Sequence, residues 1–119
     1  MRRTPAAPFP KRVIQERSFR KYRWVLSHLR SYYAALFQKI PMEDFLLNGQ
    51  FMKAAHDVAF MFPLVEMASN GHFRFIKEVL YVYNCANPLS DFRRAVAEQG
   101  AVGRMVTSKP PYAPLDKLF

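Results

Sequence analysis

Cysteine is almost absent from this sequence, glycine is scarce, and hydrophobic runs are short. The single cysteine, Cys85, excludes an internal disulfide framework and fits a reducing compartment, so we expect a cytoplasmic protein. The longest uncharged apolar run is far shorter than the roughly 20 residues that a membrane-spanning helix needs. The basic N-terminus continues into prolines and charges rather than an apolar core, which predicts that it is not a signal peptide.

Motifs that bind metals or phosphates are missing as well. The three histidines are His28, His56 and His72, and no Cys-x-x-Cys or His-x-x-x-His pair is present. Zinc sites are usually marked by such close pairs of ligands. There is also no glycine-rich phosphate loop and no Walker pattern. The sequence therefore predicts no cofactor bound by this chain itself.

What the sequence does contain is a hydrophobic core and a concentrated positive charge. Its 119 residues are 50% hydrophobic and 15% aromatic, which predicts one folded domain. Residues 1–39 carry ten Lys or Arg against one acid, Glu16, a net charge of +9, whereas residues 40–119 carry eight of each sign. A basic segment of this kind favours anionic partners: a phosphate-bearing substrate, an acidic membrane surface or nucleic acid.

The hydrophobic pattern predicts an α/β unit that is mostly helical, with about three helices and two or three strands. We expect a basic, proline-containing lead-in over residues 1–23, a domain over 24–108 and an extended tail over 109–119. Residues 13–23 fit loop, strand or exposed helix. The predicted helices are 32–40, 52–68 and 91–106, and the predicted strands are 24–29 and 73–83, the latter as one strand or two. Asn48-Gly49 is a turn signal, and Pro63 is expected to kink or split the second helix.

The second predicted helix is unusual because residues 58–65 carry no charge and no hydrogen-bonding side chain. Such a helix needs protein on both sides, and the sequence lacks an evident second layer, so we expect this helix to expose one side and the domain to be only marginally stable. Asp57 lies at its N-terminal end, where it fits either a functional carboxylate or a structural capping or ion-pairing group. Glu66, at the other end, fits a solvated helix end or an ion-pair partner better than a catalyst.

Three blocks in order along the chain resemble the C-terminal half of family 2 glycosyltransferases, nucleotide-sugar-dependent enzymes of the GT-A fold. The blocks are Trp24 with Ser27-His-Leu-Arg30, then Asp57-Val-Ala-Phe-Met-Phe-Pro-Leu-Val-Glu-Met67, then Glu78-Val-Leu-Tyr-Val-Tyr-Asn84. The resemblance runs from about residue 20 to the end, and it rests on the order and spacing of the blocks. It implies a partial GT-A-like unit that acts on a saccharide or lipid-linked acceptor.

Under this resemblance Asp57 matches the general base that deprotonates the acceptor hydroxyl. Trp24, His28 and Arg30 are candidates for acceptor contacts. The end of a strand over 24–29 would present His28 and Arg30 at the carboxyl edge of a sheet, where they fit either ligand contacts or a solvated strand end. Many family members have a second acid directly before the aspartate, whereas this chain has His56, a further candidate contact.

The donor side of the family is not matched. The family binds its nucleotide sugar on an N-terminal half with an Asp-x-Asp motif, and a divalent metal is implied for the complete enzyme. No two of the four aspartates here are that close; they are Asp44, Asp57, Asp91 and Asp116. We therefore expect an acceptor-side fragment without activity in isolation: a truncated gene, a misassigned start or one piece of a split protein.

The alternative is a non-catalytic basic module that binds nucleic acid or acts as a protein adaptor. Aromatic residues interleave with the cations of the first third, as in nucleic-acid surfaces. No RNP-like, zinc-finger or helix-turn-helix signature is present, so the sequence does not favour nucleic acid. Contact with an anionic membrane surface, where a lipid-linked acceptor would lie, is the interpretation we favour for the charge.

Overall fold

Short elements joined by irregular chain make up most of the molecule. The computed structural model describes residues 6–82, 84, 86–89 and 95–118. Within them the protein is mixed α/β and mostly helical, with four α-helices, two 3-10 helices and one two-stranded sheet. The α-helices are α1 (Lys11–Glu16), α2 (Ala34–Phe37), α3 (His56–Met67) and α4 (Val96–Ser108). The 3-10 helices are Phe19–Lys21 and Met42–Phe45, and the strands are β1 (Leu46–Leu47) and β2 (Gln50–Phe51).

The predicted turn at Asn48-Gly49 is present, and it closes a small hairpin. Both residues have positive φ, 54° at Asn48 and 78° at Gly49. Two consecutive positive φ angles are typical of the tight hairpin turns whose twist matches that of the flanking strands. Leu46 pairs with Phe51 and Leu47 with Gln50 in an antiparallel register. The hairpin leads the chain directly to the start of α3.

Helix α3 is the centre of the core. It begins at His56, four residues later than predicted, and it runs through Pro63 as one element rather than splitting there. Its residues from Met61 to Met67 are all buried, and Phe62 and Met67 are each only 3% exposed. Packing on every side compensates for the one backbone hydrogen bond that a proline removes from a helix.

The missing second layer is supplied by the two ends of the chain, so the expectation that α3 would expose one side is wrong. Phe9, Val13 and Phe19, from the predicted lead-in, are each at most 8% exposed and belong to the same core as α3. The Leu115 N–H of the tail donates a hydrogen bond to the Met67 carbonyl at 2.8 Å. Because the covering segments contain only short helices and are interrupted by prolines, their hydrophobic residues show no period that would mark them as a layer.

The two predicted strands are not formed. Residues 24–29 are irregular, and so are residues 73–82, of which only Phe73 is even partly buried. The rest of the predicted second strand includes Tyr83, which lies outside the described residues. A strand needs a neighbour to accept and donate its backbone hydrogen bonds, and high β propensity alone does not supply one.

The remaining two helices confirm the predicted type with shifted boundaries. Helix α2 is shorter than the predicted 32–40, and its last turn continues as i→i+3 bonds, Lys39 N–H to Leu36 O and Ile40 N–H to Phe37 O, each at 3.1 Å. Helix α4 begins at Val96 and passes through Gly100 and Gly103. The start predicted for it, at residue 91, lies outside the described residues.

Candidate functional site

Arg30 is the centre of a polar cluster that contains four of the five site residues predicted from the sequence. Its Nη2 donates to the Asp57 Oδ2 at 2.9 Å and lies 3.0 Å from the His28 Nε2. Its Nη1 donates to the Leu26 carbonyl at 2.6 Å, which folds the irregular 24–30 segment back on itself. Its guanidinium also lies over the Trp24 ring, 5.9 Å from the centroid. The side chain is only 13% exposed, so it is fixed in place.

Asp57 reaches this cluster from the first turn of α3. Its Oδ1 accepts a hydrogen bond from the Val58 N–H at 3.0 Å, while Oδ2 accepts from Arg30. The partial positive charge at the N-terminus of the helix attracts the side-chain oxygens of Asp57 at this position. A carboxylate has about four lone-pair sites, and the side chain is 34% exposed, so it can accept a further hydrogen bond from a ligand hydroxyl.

His28 is held as a neutral imidazole with a defined tautomer. A guanidinium can only donate, so the Nε2 facing Arg30 is the acceptor and the proton is on Nδ1. Partial burial, assisted by the Arg30 charge, lowers the pKa of His28 below its ordinary 6.5, and Asp57 opposes this shift. The imidazole ring also lies 5.0 Å from the Tyr81 ring, at an interplanar angle of 30°.

Trp24 forms the floor of the cluster. Its ring packs edge-on against Phe62 of α3, with centroids 5.5 Å apart. It is nevertheless 39% exposed. A partly exposed indole beside fixed polar groups offers a ligand an apolar face together with hydrogen-bonding partners.

His56 lies apart from the cluster although it is adjacent to Asp57 in the sequence. Its ring Nε2 lies 2.7 Å from the Met52 carbonyl, to which it donates. It lines a shallow cavity of about 600 Å³ together with apolar residues of α2 and of the hairpin. Adjacent helical positions point about 100° apart, which explains why only one of the pair reaches Arg30.

A larger groove of about 850 Å³ runs beside the cluster. One wall is the segment 25–33, which includes His28 and Arg30, and the other is the segment 71–81, which includes Tyr81. Because neither wall has regular secondary structure, the groove could not be predicted from the helices and strands that the sequence indicates. The polar cluster lies at its rim.

A second polar cluster, which the sequence did not reveal, is buried on the far half of α3. Arg20 donates from Nε and Nη2 to the two carboxylate oxygens of Glu66 at 2.9 and 2.6 Å, and from Nη1 to the Val106 carbonyl at 3.0 Å. The Tyr112 N–H donates to the same carboxylate at 3.1 Å. Glu66 is 1% exposed, so it is an ion-pair partner and not a solvated helix end. Because every polar group is satisfied within the protein, we assign this cluster a structural role.

No group of side chains among the described residues fits the divalent metal that the resemblance implies for a complete enzyme. In the described part of the chain, no three His, Cys, Asp or Glu side chains lie close enough together to hold a metal ion. The Asp57 carboxylate already has a fixed guanidinium at 2.9 Å, which repels a cation. Cys85 lies outside the described residues.

Comparison of the chain with protein-family models, with curated proteins and with solved structures found no significant match. No helix among the described residues combines the length and the hydrophobicity that crossing a bilayer requires. The polar cluster around Arg30 is therefore the feature from which function has to be inferred.

Proposed function

We propose that this chain is the acceptor-side part of a nucleotide-sugar-dependent glycosyltransferase, a partial GT-A-like unit in which Asp57 is the general base. The observation that carries the proposal is the convergence of Asp57 with Arg30, His28 and Trp24. Asp57 and Arg30 are 27 residues apart in the sequence. All four positions were singled out by the blocks that resemble family 2 glycosyltransferases, and they meet in one cluster.

The geometry suits removal of a proton from a sugar hydroxyl. The hydroxyl oxygen would attack the anomeric carbon of the donor, the bond to the nucleotide diphosphate would break, and the proton would pass to Asp57. Arg30 holds one carboxylate oxygen and so fixes the direction of the other lone pairs. The donor would be bound by residues outside this cluster.

Trp24 and His28 would orient the acceptor. The exposed part of the indole offers a surface for the apolar face of a sugar ring. His28 lies beside Arg30 and lines the groove, so its imidazole would contact a second hydroxyl of the acceptor. Arg30 supports both groups, because it contacts each of them.

Acceptor binding can be measured directly because Trp24 is the only tryptophan in the chain. Its fluorescence should change on titration with at least one saccharide of a panel that contains glucose, galactose, N-acetylglucosamine and their disaccharides. We expect Arg30→Met to abolish this change and Asp116→Asn, an exposed carboxylate of the tail, to leave it intact. A panel without any response would contradict the proposal.

The role of Asp57 is tested by turnover. In any preparation in which a donor-binding polypeptide restores transfer of radiolabelled sugar, Asp57→Asn should reduce the rate by about a hundredfold or more, because the hydroxyl then keeps its proton. The circular dichroism spectrum should not change, since the amide oxygen can still accept one of the two hydrogen bonds that the carboxylate accepts, and the side chain is 34% exposed. Normal turnover by this variant would refute the general-base assignment.

The second candidate, a basic nucleic-acid-binding module, is favoured by one observation. The first third of the chain presents exposed cations at Lys11, Arg12, Arg17, Lys21 and Arg23. Arg20, in contrast, is unavailable to phosphates because it is buried against Glu66. Binding of a labelled oligonucleotide that falls steeply with salt and is lost in Arg17→Gln/Arg23→Gln would support this candidate over the transferase.

A further inference from the structure

The most exposed hydrophobic surface of the described molecule borders the groove beside Arg30. We call it the apolar rim. It comprises two stretches, one on each wall, and its large side chains are 46–87% exposed. They are Leu29, Tyr33, Ile76, Val79, Leu80 and Tyr81. Monomeric proteins rarely leave such a contiguous set in water, so this surface calls for a partner.

The charge around the apolar rim identifies the kind of partner. Arg74 and Lys77 lie within the same segment and are exposed, and Arg30 lies on the opposite wall, whereas Glu78 is the one acid that lines the groove. The whole chain has a net charge of +9, all of it from the first 39 residues. Cations beside apolar and tyrosine side chains match the boundary between anionic headgroups and acyl chains.

A protein partner would match this surface less well. The cores of protein interfaces are depleted of lysine, whereas lysine at a bilayer surface extends its charged end to the headgroups and buries its stem. No helix of the described residues is able to cross a bilayer, so association would be limited to the interface. The irregular 73–82 segment can present its side chains in several directions, as a shallow insertion requires.

We propose that the apolar rim inserts into the interfacial region of an anionic lipid bilayer, with Val79 and Leu80 among the acyl chains and Lys77 and Arg74 at the phosphates. This places the mouth of the groove, and with it the Arg30 cluster, at the level of the headgroups. The proposal does not depend on the reaction at Asp57, and its test measures no turnover.

The test is sedimentation of the whole chain with vesicles of phosphatidylcholine alone and of phosphatidylcholine mixed with phosphatidylglycerol. We expect binding to the mixed vesicles that weakens as salt is raised, and little binding to the neutral ones. Val79→Glu should weaken binding by about tenfold or more, because a charge replaces an inserted side chain. Val79 is 87% exposed, so the variant should keep the fold.

Two control variants make the same changes of charge at positions outside the groove. Val96→Glu makes the same substitution at an exposed position of α4, 63% exposed and outside the groove, and should bind like the unaltered chain. Lys77→Glu should weaken binding to anionic vesicles more than Lys53→Glu, which has the same net charge but lies outside the groove.

Three results would overturn the proposal. The first is equal binding to neutral and anionic vesicles, and the second is equal loss of binding in Val79→Glu and Val96→Glu. The third is absence of vesicle binding together with self-association in sedimentation velocity that Val79→Glu abolishes. That outcome would assign the apolar rim to a second copy of the chain.

Discussion

At the scale of single residues, Arg30 determines what the candidate site can do. One guanidinium contacts a backbone carbonyl, the Asp57 carboxylate, the His28 imidazole and the Trp24 ring. A lysine could not replace it, because an ammonium lacks the planar array of donors that reaches several partners in fixed directions. The cluster is therefore pre-formed before any ligand binds, which is the condition for efficient proton transfer.

The protonation of His28 gives a prediction at this scale. Burial and the Arg30 charge lower the pKa of His28, so the folded protein resists protonation more than the unfolded chain. The stability that this contributes is present above the ordinary 6.5 and is lost as pH falls below it. Arg30→Met should raise the pKa of His28, which NMR titration of the imidazole nitrogens measures. Arg23→Met, an exposed cation, serves as the control, and an unchanged value in Arg30→Met would contradict the assigned contact.

Glu66 gives a second prediction because its carboxylate is the sole described acceptor for two donors of Arg20. Glu66→Gln removes the carboxylate that pairs with the buried guanidinium, and loss of one partner of a buried pair costs about 3–5 kcal/mol. We expect a loss of that size in the free energy of unfolding in urea. Glu16→Gln, at an exposed position of α1, should change it by less than about 0.5 kcal/mol. Equal effects of the two substitutions would show that the Arg20–Glu66 ion pair does not contribute to stability.

At the scale of elements, the tail is fastened to the second 3-10 helix by side chains. The Lys109 Nζ donates to the Asp44 Oδ1 at 2.9 Å, and the Tyr112 hydroxyl donates to Oδ2. Burial alone would raise the pKa of Asp44, but these hydrogen bonds outweigh it, and the pKa lies below its ordinary 3.8. Burial and the Asp44 carboxylate raise the pKa of Tyr112 well above its ordinary 10.0. The extended tail is thus an integral part of the fold.

The contacts of Asp44 with Lys109 and Tyr112 predict that the protein loses stability at both low and high pH. The contribution of Asp44 is present above about 3.8 and is lost as pH falls through its lower folded value. The contribution of Tyr112 is present below about 10.0 and is lost as pH rises, since the unfolded chain ionises first. In Tyr112→Phe the fall of the unfolding free energy above this pH should be smaller. Tyr32→Phe, whose ring packs on Phe60 instead, should keep the full fall.

At the scale of the whole molecule, the predicted lead-in is a structural layer. Phe19 is fully buried, and its ring packs edge-on against two other rings. The ring centroids are 5.0 Å apart for Phe9 and 6.2 Å apart for Phe73. Arg20, next to it, holds the end of α3 and the end of α4 at once. The proposed division into lead-in, domain and tail therefore describes differences in composition along the sequence, whereas the hydrophobic core contains residues from all three parts.

Truncation tests whether residues 1–23 are needed for the fold. A chain that begins at Trp24 loses Phe9, Val13, Phe19 and Arg20, so we expect no cooperative unfolding transition by circular dichroism. Phe19→Ala should remove about 3–5 kcal/mol on its own, as is typical of a buried phenylalanine. Leu29→Ala, 62% exposed, should remove little. A cooperative transition in the truncated chain would show that residues 24–119 fold independently.

The sequence by itself determined features that depend on neighbouring residues and on periodicity. The Asn48-Gly49 turn, the buried helix α3 and the existence of α2 and α4 followed from local conformational preferences and from the spacing of apolar residues. Asp57, Arg30, His28 and Trp24 could be selected as candidates, since each belongs to a block with a recognisable pattern. These signals need no knowledge of distant parts of the chain.

Only the tertiary structure decided which distant segments meet. The 73–82 segment has the composition of a strand, yet no strand among the described residues pairs with it, and it is irregular and mostly exposed. In the sequence, Arg20 stands among other charged residues, which is typical of a solvated cation. In the structure, Glu66, 46 residues away, accepts its hydrogen bonds in the core. Pairing of strands and burial of charges depend on partners that are remote in sequence, and the energy of each contact exists only once both partners are brought together.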